Sequence, residues 1–429
     1  MSKYIPLGKT CKYSSEKIKL DELTLGSYIT TDNILQNKQG VTIATNLPPQ
    51  GNSFPKYNPG NILVGNIRPY LKKIWFADND GGCSADVLVF DVKKGFYPKF
   101  VYYAMFQDDF FVHAMKGSKG TKMPRGDKNQ MMEYQIPDID FNSQKQIANV
   151  LSSLDSKIAL NNRINAELEA IAKMVYDYWF VQFDFPFDFA STSLSNNAQG
   201  KPASASIEGV TPSHPINNNA PGYKSSGGKM VWSEELKREV PAGWAVGELK
   251  DIANITMGQS PAGESYNEDR NGMVFYQGCT DFGTRFPTIR KYTTEPTRFA
   301  RQGDILLSVR APVGTLNIAK EDCCIGRGLA ALNSKDNCIA FLFGVMVNLK
   351  QIFDRRNVDG TTFGSITKDD LFTLKVVKPS NEVLEMYHKL INPCFEKQNL
   401  IADENQQLSS LRDWLLPMLM NGQVSVSEL

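Results

Sequence analysis

Two hydrophobic periods alternate along the chain. Before Ser143 the apolar positions fall in short runs bounded by Gly, Pro and Asn, which is the grammar of strands and tight connections. "ILV" (62–64) and "KIWF" (73–76) flank a turn holding Arg68, Pro69 and Tyr70, and so predict a hairpin. From Ser143 the period lengthens. Ile147, Leu151, Leu154, Ile158, Asn161, Asn165, Leu168, Ala172 and Val175 recur at alternating steps of four and three, the spacing of a coiled-coil seam. Further along, "ILLSV" and "TLNIA" flank Arg310, Pro312 and Gly314 as a second hairpin. A second helical seam then reads Ile391, Cys394, Ile401, Asn405, Leu408, Leu411 or Arg412, Leu415 and Met418.

The two successions are copies of one another. "GNILVGNIRP" at 60–69 returns as "GDILLSVRAP" at 303–312, an offset of 303 − 60 = 243. Gly120-Thr121 matches Gly360-Thr361 at 360 − 120 = 240, and Leu160/Leu400, Asn165/Asn405 and Leu168/Leu408 keep that offset. A unit this long, used twice, is a pair of domains rather than a solenoid.

The predicted fold class is therefore α+β: two β-rich domains separated by an antiparallel pair of long helices with pseudo-two-fold symmetry. The expected segments are a β-rich domain at 1–142, a helix with an aromatic tail at 143–187, a linker at 188–231, a second β-rich domain at 232–380, a second helix at 381–420 and a tail at 421–429. Asn165 and Asn405, at matching seam positions, are expected to fix register. A helix of about 35 residues would hold the two domains on the order of 50 Å apart. The linker, rich in Ser, Asn, Gly, Pro and Ala, has little to bury and is expected to be flexible.

Composition narrows the functional classes. A chain of 429 residues that is 41% hydrophobic suits two or three soluble domains. No apolar run is long enough to span a bilayer, and "MSKYIPLGKT" does not resemble a signal peptide, so a cytoplasmic location without a membrane partner is expected. Seven cysteines without a C-x-x-C pair, and three scattered histidines, suggest neither a disulfide framework nor a metal site.

Net charge is only +1, which argues against a general polyanion binder, but its distribution is uneven. Arg68, Lys72 and Lys73 surround the first hairpin tip. Lys116 and, in the segment "GSKGTKMPRGDKNQ" that follows it, Lys119, Lys122, Arg125 and Lys128 stand against one acid, Asp127. Glycine and Thr121 among these bases allow close approach to phosphates, while Arg and Lys reach base edges. The second copy offers Arg310, Thr361, Thr362 and Lys368, and Gln277 stands in "YQGCTDFG". These residues are the DNA-binding candidates; a solvated charged face is the competing account.

Taken in order, "GNILVGNIRP", the helix ending "MVYDYWFVQFDFPF", the connector "GYKSSGGKMVW", "VFYQGCTDFG", "GDILLSVRAPVG" and the closing "LRDWLLPMLMNGQV" resemble the DNA-specificity subunits of Type I restriction-modification enzymes. The resemblance runs over essentially the whole chain. It implies two target-recognition domains, each reading one half of a bipartite asymmetric site on double-stranded DNA, with the helices fixing the gap. It also implies that two modification subunits methylate adenine at N6 and that motor-nuclease restriction subunits join for cleavage. S-adenosylmethionine, ATP and Mg would then serve those partners, and this chain would bind no cofactor.

A catalytic role fits the residues poorly. Asp138, Asp155 and Lys157 superficially match a metal-dependent nuclease, but Asp155 and Lys157 fall inside the heptad helix rather than on a sheet. "NLPPQ" (46–50) lacks the aromatic that stacks a flipped adenine, and no P-loop occurs. The aromatic tail at 174–187 suits either core burial or docking of a partner. A duplicated protein-interaction scaffold without DNA binding is the alternative function.

Overall fold

The structure, a computed structural model, describes residues 3–51, 53–118, 123–187, 222–358 and 365–426. The architecture is α+β, and the chain divides into two compact units: residues 1–160 with 405–429, and residues 161–404. The expected flexible linker lies outside the described residues from 188 to 221. Its last stretch does not: Tyr223 stacks on Phe185 at 4.9 Å, and Asp184 accepts from the Ser225 amide at 2.8 Å.

In the first unit, strands Cys11–Tyr13, Val87–Val92, Ile62–Gly65 and Ile74–Phe76 form an antiparallel sheet in that order. A second sheet carries Lys17–Ile18, Phe54–Tyr57, Gly81–Cys83 and Tyr28–Ile29, the last two parallel. Helices Pro98–Phe106 and Asp108–Lys116 bury Phe100, Phe106, Phe110 and Phe111 against the first sheet.

The second unit repeats this plan. Ala253–Met257, Leu329–Ser334, Ile305–Ser308 and Leu316–Ile318 form the antiparallel sheet, and a five-stranded sheet holds Met273–Tyr276 parallel to Cys323–Ile325. Helix Ile339–Val358 covers the antiparallel sheet.

This plan explains the repeated G-[N/D]-I-L. Gly60 and Gly303 take φ of 90° and 87°, the left-handed region open to glycine. The next side chain closes the turn: Asn61 Oδ1 accepts from the Asn58 amide and Asp304 Oδ2 from the Arg301 amide, both at 2.8 Å. The apolar residues that follow serve two cores at once, because successive strand side chains point to opposite faces. Ile62 and Val64 enter one cluster and Leu63 another; Ile305 and Leu307 enter one and Leu306 another. A strand buried on both faces must be apolar throughout.

The long helices are Phe141–Tyr176 and Asn381–Met420. Asp140 opens the first, accepting from the Ser143 amide at 3.0 Å and its hydroxyl at 2.6 Å, as an N-cap residue does. Within the first unit, Ile147 and Leu151 share a core with Leu416, Leu419 and Met420, while Asp155 accepts from Arg412 at 2.8 Å. Within the second, Asn161 donates to Glu404 at 2.8 Å, Gln398 donates to the Asn165 carbonyl at 3.3 Å, and Tyr176 meets Tyr387. Residue numbers fall on one helix as they rise on the other, so the pairing within each unit is antiparallel.

Ile391 and Ile401 are buried, and Leu154, Ile158, Asn165, Leu168, Asn405, Leu408 and Leu415 are half-buried. Between Leu411 and Arg412 the structure decides: Leu411 is exposed, and Arg412 turns inward over the Phe106 ring. Buried Gln398 is a polar contact that the apolar pattern passes over. Asp155, the acid of the nuclease-like spacing, is committed to Arg412 and to the Tyr103 hydroxyl.

The aromatic tail is core. Trp179, Phe180, Phe185 and Phe187 are buried with Tyr223, Phe341 and Tyr387, and Tyr178 alone of the tail's large aromatics stays exposed. No described helix is long and apolar enough to cross a membrane. Among the described residues no cluster of His, Cys, Asp and Glu could hold a metal.

Candidate nucleic-acid interface

The first hairpin tip is built on backbone that L residues seldom adopt. Arg68 and Lys72, at φ of 52° and 51°, flank the 3-10 turn Pro69–Leu71. Positive φ at such residues costs energy and persists only where neighbours over-determine it. Here the later basic segment does so. The Arg68 amide donates to the Pro124 carbonyl at 2.7 Å, Ile67 bridges to Arg125, and the Gly126 amide donates to the Asn66 carbonyl at 3.1 Å. Sequence positions far apart are thus joined into one tip.

Each cation of this tip with a described ion pair meets an acid. Arg125 pairs with Asp86 at 3.0 Å; Lys72 and Lys38 hold the two oxygens of Asp108 at 2.7 and 2.8 Å. Partial desolvation opposes ionisation of Asp108, but the hydrogen bonds from Lys38 and Lys72 prevail and hold its carboxyl below the ordinary range. Arg68 is half-buried, with its Nε lacking a hydrogen-bond partner among the described residues. Exposed Tyr70 crowns the turn, and Lys128 lies over the Tyr13 ring.

Lys73 is a correction. Its side chain is buried and its ammonium donates to the Thr31 carbonyl, so it is not a surface cation available to DNA. Burial lowers its pKa, with Asp32 acting in opposition. Its carbonyl accepts from the Gly65 amide at 3.0 Å, which ties the residue to the hairpin just before strand Ile74–Phe76. Lys119, Thr121, Lys122, Thr361 and Thr362 lie outside the described residues.

In the second unit Arg310 is exposed and bridges to Ser365, while the Ile366 amide donates to the Val309 carbonyl at 2.8 Å. The pairing corrects the simple equivalence of Arg68 with Arg310. Val309 stands where Asn66 stands, 309 − 66 = 243, so Arg310 occupies the place of Ile67. One arginine belongs to each bridge, but it comes from the later segment in the first unit and from the hairpin in the second. The position of Asp86, whose carbonyl accepts from the Asn66 amide, is taken by Gly328, whose carbonyl accepts from the Val309 amide. Arg310 accordingly makes no ion pair among the described residues.

Lys368 opens the short helix Lys368–Phe372 and lies over the Phe372 ring. Gln277 is exposed just past strand Met273–Tyr276, with its amide 2.8 Å from the Ser260 hydroxyl. Beside it is exposed Arg327, which sequence reasoning missed; the signal was a lone arginine between two glycines directly after strand Cys323–Ile325.

The Type I restriction modification DNA specificity domain matches residues 5–170 and again 241–407. The HindI specificity subunit of Haemophilus influenzae is 25% identical over 92% of this chain and 94% of its own length. A putative MjaX specificity subunit of Methanocaldococcus jannaschii is 34% identical, over 44% of this chain and 45% of its own. A crystal structure of the S subunit from M. genitalium superposes with a TM-score of 0.53 at 15% identity, covering 97% of this chain and 96% of that one, a likeness of fold. With one copy of the family domain matching each half, the chain belongs to the specificity subunits of Type I restriction-modification systems, which are non-catalytic.

Proposed function

We propose that the two hairpin tips each read one half of a bipartite, asymmetric site on double-stranded DNA, and that the paired helices set the gap between the halves. The observation that carries this reading is the recurrence of one assembly, a hairpin tip bridged by a later segment with an arginine at the bridge, in both units. The recognition domains are 1–142 and 232–380 in this reading. A first helix of 36 residues is about 54 Å long at 1.5 Å per residue, long enough to separate two half-sites by a helical turn or more.

Chemistry belongs to partners. Ile171 and Met174 on the first long helix, and Leu411 and Trp414 on the second, are exposed apolar residues at the same repeat positions, since 411 − 171 and 414 − 174 both equal 240. A matched patch used twice suits two copies of one partner, the modification subunit, with restriction subunits joining later. S-adenosylmethionine, ATP and Mg serve those subunits. Co-expression with the cognate modification subunit in a methylation-free host, followed by mapping of N6-methyladenine, tests the reading. A split motif with a fixed gap is expected. An assembled complex that leaves DNA unmethylated would favour an interaction scaffold instead.

A further inference from the structure

The second unit contains a corner where three chain segments meet at their backbones. A Cβ on Gly258 would lie 2.1 Å from the Gly326 carbonyl oxygen, one on Gly326 3.0 Å from the Gln277 backbone, and one on Gly328 2.7 Å from the Gln277 carbonyl oxygen. Only glycine permits this approach. Hydrogen bonds lock the corner: the Gly326 amide donates to the Tyr276 carbonyl at 2.8 Å, the Gly328 amide to the Gln277 carbonyl at 3.2 Å, and the Arg327 amide to the Ser260 hydroxyl at 3.3 Å. The Val309 amide donates to the Gly328 carbonyl at 2.9 Å, so Arg310 and Arg327 leave that strand pair at the same end.

Exposed groups on this support include Gln277, Arg310 and Arg327. Neither arginine makes an ion pair among the described residues. The Ser260 hydroxyl lies 3.3 Å from Oε1 and 2.8 Å from Nε2 of Gln277, so it fixes the orientation of the amide edge that would exchange this hydroxyl for adenine on binding. Arginine matches the two acceptors of guanine and glutamine the donor-acceptor pair of adenine, each through two parallel bonds in the major groove. Such bonds discriminate only when the donors are held in place beforehand, and the glycine corner holds the backbone that carries both side chains.

We propose that Gln277 and Arg327 form a base-reading pair in the second unit, Arg327 contacting a guanine and Gln277 an adenine of the same half-site, with Arg310 on an adjacent phosphate. This rests on the DNA-reading function proposed above. Methylation mapping of the complex with its cognate modification subunit tests it, with the wild type beside Arg327→Ala, Arg327→Lys and Gln277→Ala. In the wild type one half-site contains both a G·C and an A·T pair. Arg327→Ala loses about tenfold to a hundredfold discrimination at one G·C pair. Arg327→Lys, which keeps donors for guanine but not the planar fork, loses less at the same pair. Gln277→Ala loses discrimination at one A·T pair, and the other half-site is unchanged. A loss spread evenly over both half-sites overturns base reading in favour of a phosphate contact. An unchanged motif in Arg327→Ala, or a wild-type motif with no G·C pair in either half, also overturns it. A wild-type complex that assembles without methylating removes the DNA-reading function itself, an outcome distinct from failure in the variants alone.

Discussion

The two hairpin tips share a scaffold and differ in charge. In the first unit, Arg125 and Lys72 face Asp86 and Asp108; in the second, Arg310 and Arg327 face no acid among the described residues. The difference traces to particular substitutions between copies, Asp86 against Gly328 above all. Gly328 also has a steric reason, because a Cβ there would strike the Gln277 carbonyl oxygen. One copy thus spends that position on a counter-charge and the other on close backbone packing. The scaffold is set by burial, which tolerates little change, while the tip varies freely on the surface.

The largest expected effect tests the shared scaffold. Leu63 and Leu306 are fully buried at equivalent strand positions, each in a core separate from the largest one of its unit. Leu63→Ala and Leu306→Ala should each cost about 2–5 kcal/mol, the usual range for truncating a buried leucine. Thermal or denaturant unfolding checks this. A loss below about 1 kcal/mol at one position only would break the equivalence of the two strands.

The next prediction concerns charge. Arg310→Ala should weaken binding of duplex DNA carrying the methylated motif about tenfold at moderate salt, whereas Arg125→Ala should weaken it by less than about threefold. Arg125 must first leave Asp86, so its net contribution is reduced by the pair it gives up. Titrations at several salt concentrations should show a slope smaller by about one for Arg310→Ala. Equal losses for both variants would mean that the Asp86 pair has no bearing on DNA.

Much of this was legible in the sequence, for physical reasons that are specific. The seam from Ile147 to Val175 could be read because helix packing repeats at fixed steps, and the repeated turn because glycine at positive φ and an Asn or Asp closing it are both required. Gln398 and the inward turn of Arg412 could not, since an apolar pattern cannot say which polar residue finds a buried partner. The same limit applied to Lys73, whose ammonium finds the Thr31 carbonyl, and to Arg327, which stands beside Gln277 through glycine contacts between distant segments. The one-residue shift between Arg68 and Arg310 became visible only through the hydrogen bonds at Asn66 and Val309.

Asp86→Asn sharpens the comparison from the other side. Removing the counter-charge leaves Arg125 without its acid, as Arg310 is among the described residues, and should strengthen DNA binding about two- to threefold while steepening its salt dependence. The Asp86 carbonyl, which accepts from the Asn66 amide, is untouched by the change. Weaker binding would indicate that the ion pair holds Arg125 in its productive position.

The smallest effect separates stability from binding at the first tip. Asp108 accepts from Lys38 and Lys72, and its folded pKa lies below the ordinary value of 3.8. A carboxyl depressed in this way contributes stability that is complete above the unfolded pKa and disappears as pH falls through the folded one. Because the side chain is more than half exposed, solvent screening limits the contribution to less than about 1 kcal/mol. Asp108→Asn should therefore lower the Tm slightly at neutral pH, and the gap from wild type should close as the solution is acidified below about 3.8. No such acidic pairing exists at Arg310 among the described residues, so the corresponding stretch of the second unit should lack this pH-dependent component. A gap that persists unchanged to low pH would show that Asp108 acts through its shape and hydrogen bonds, and not through its charge.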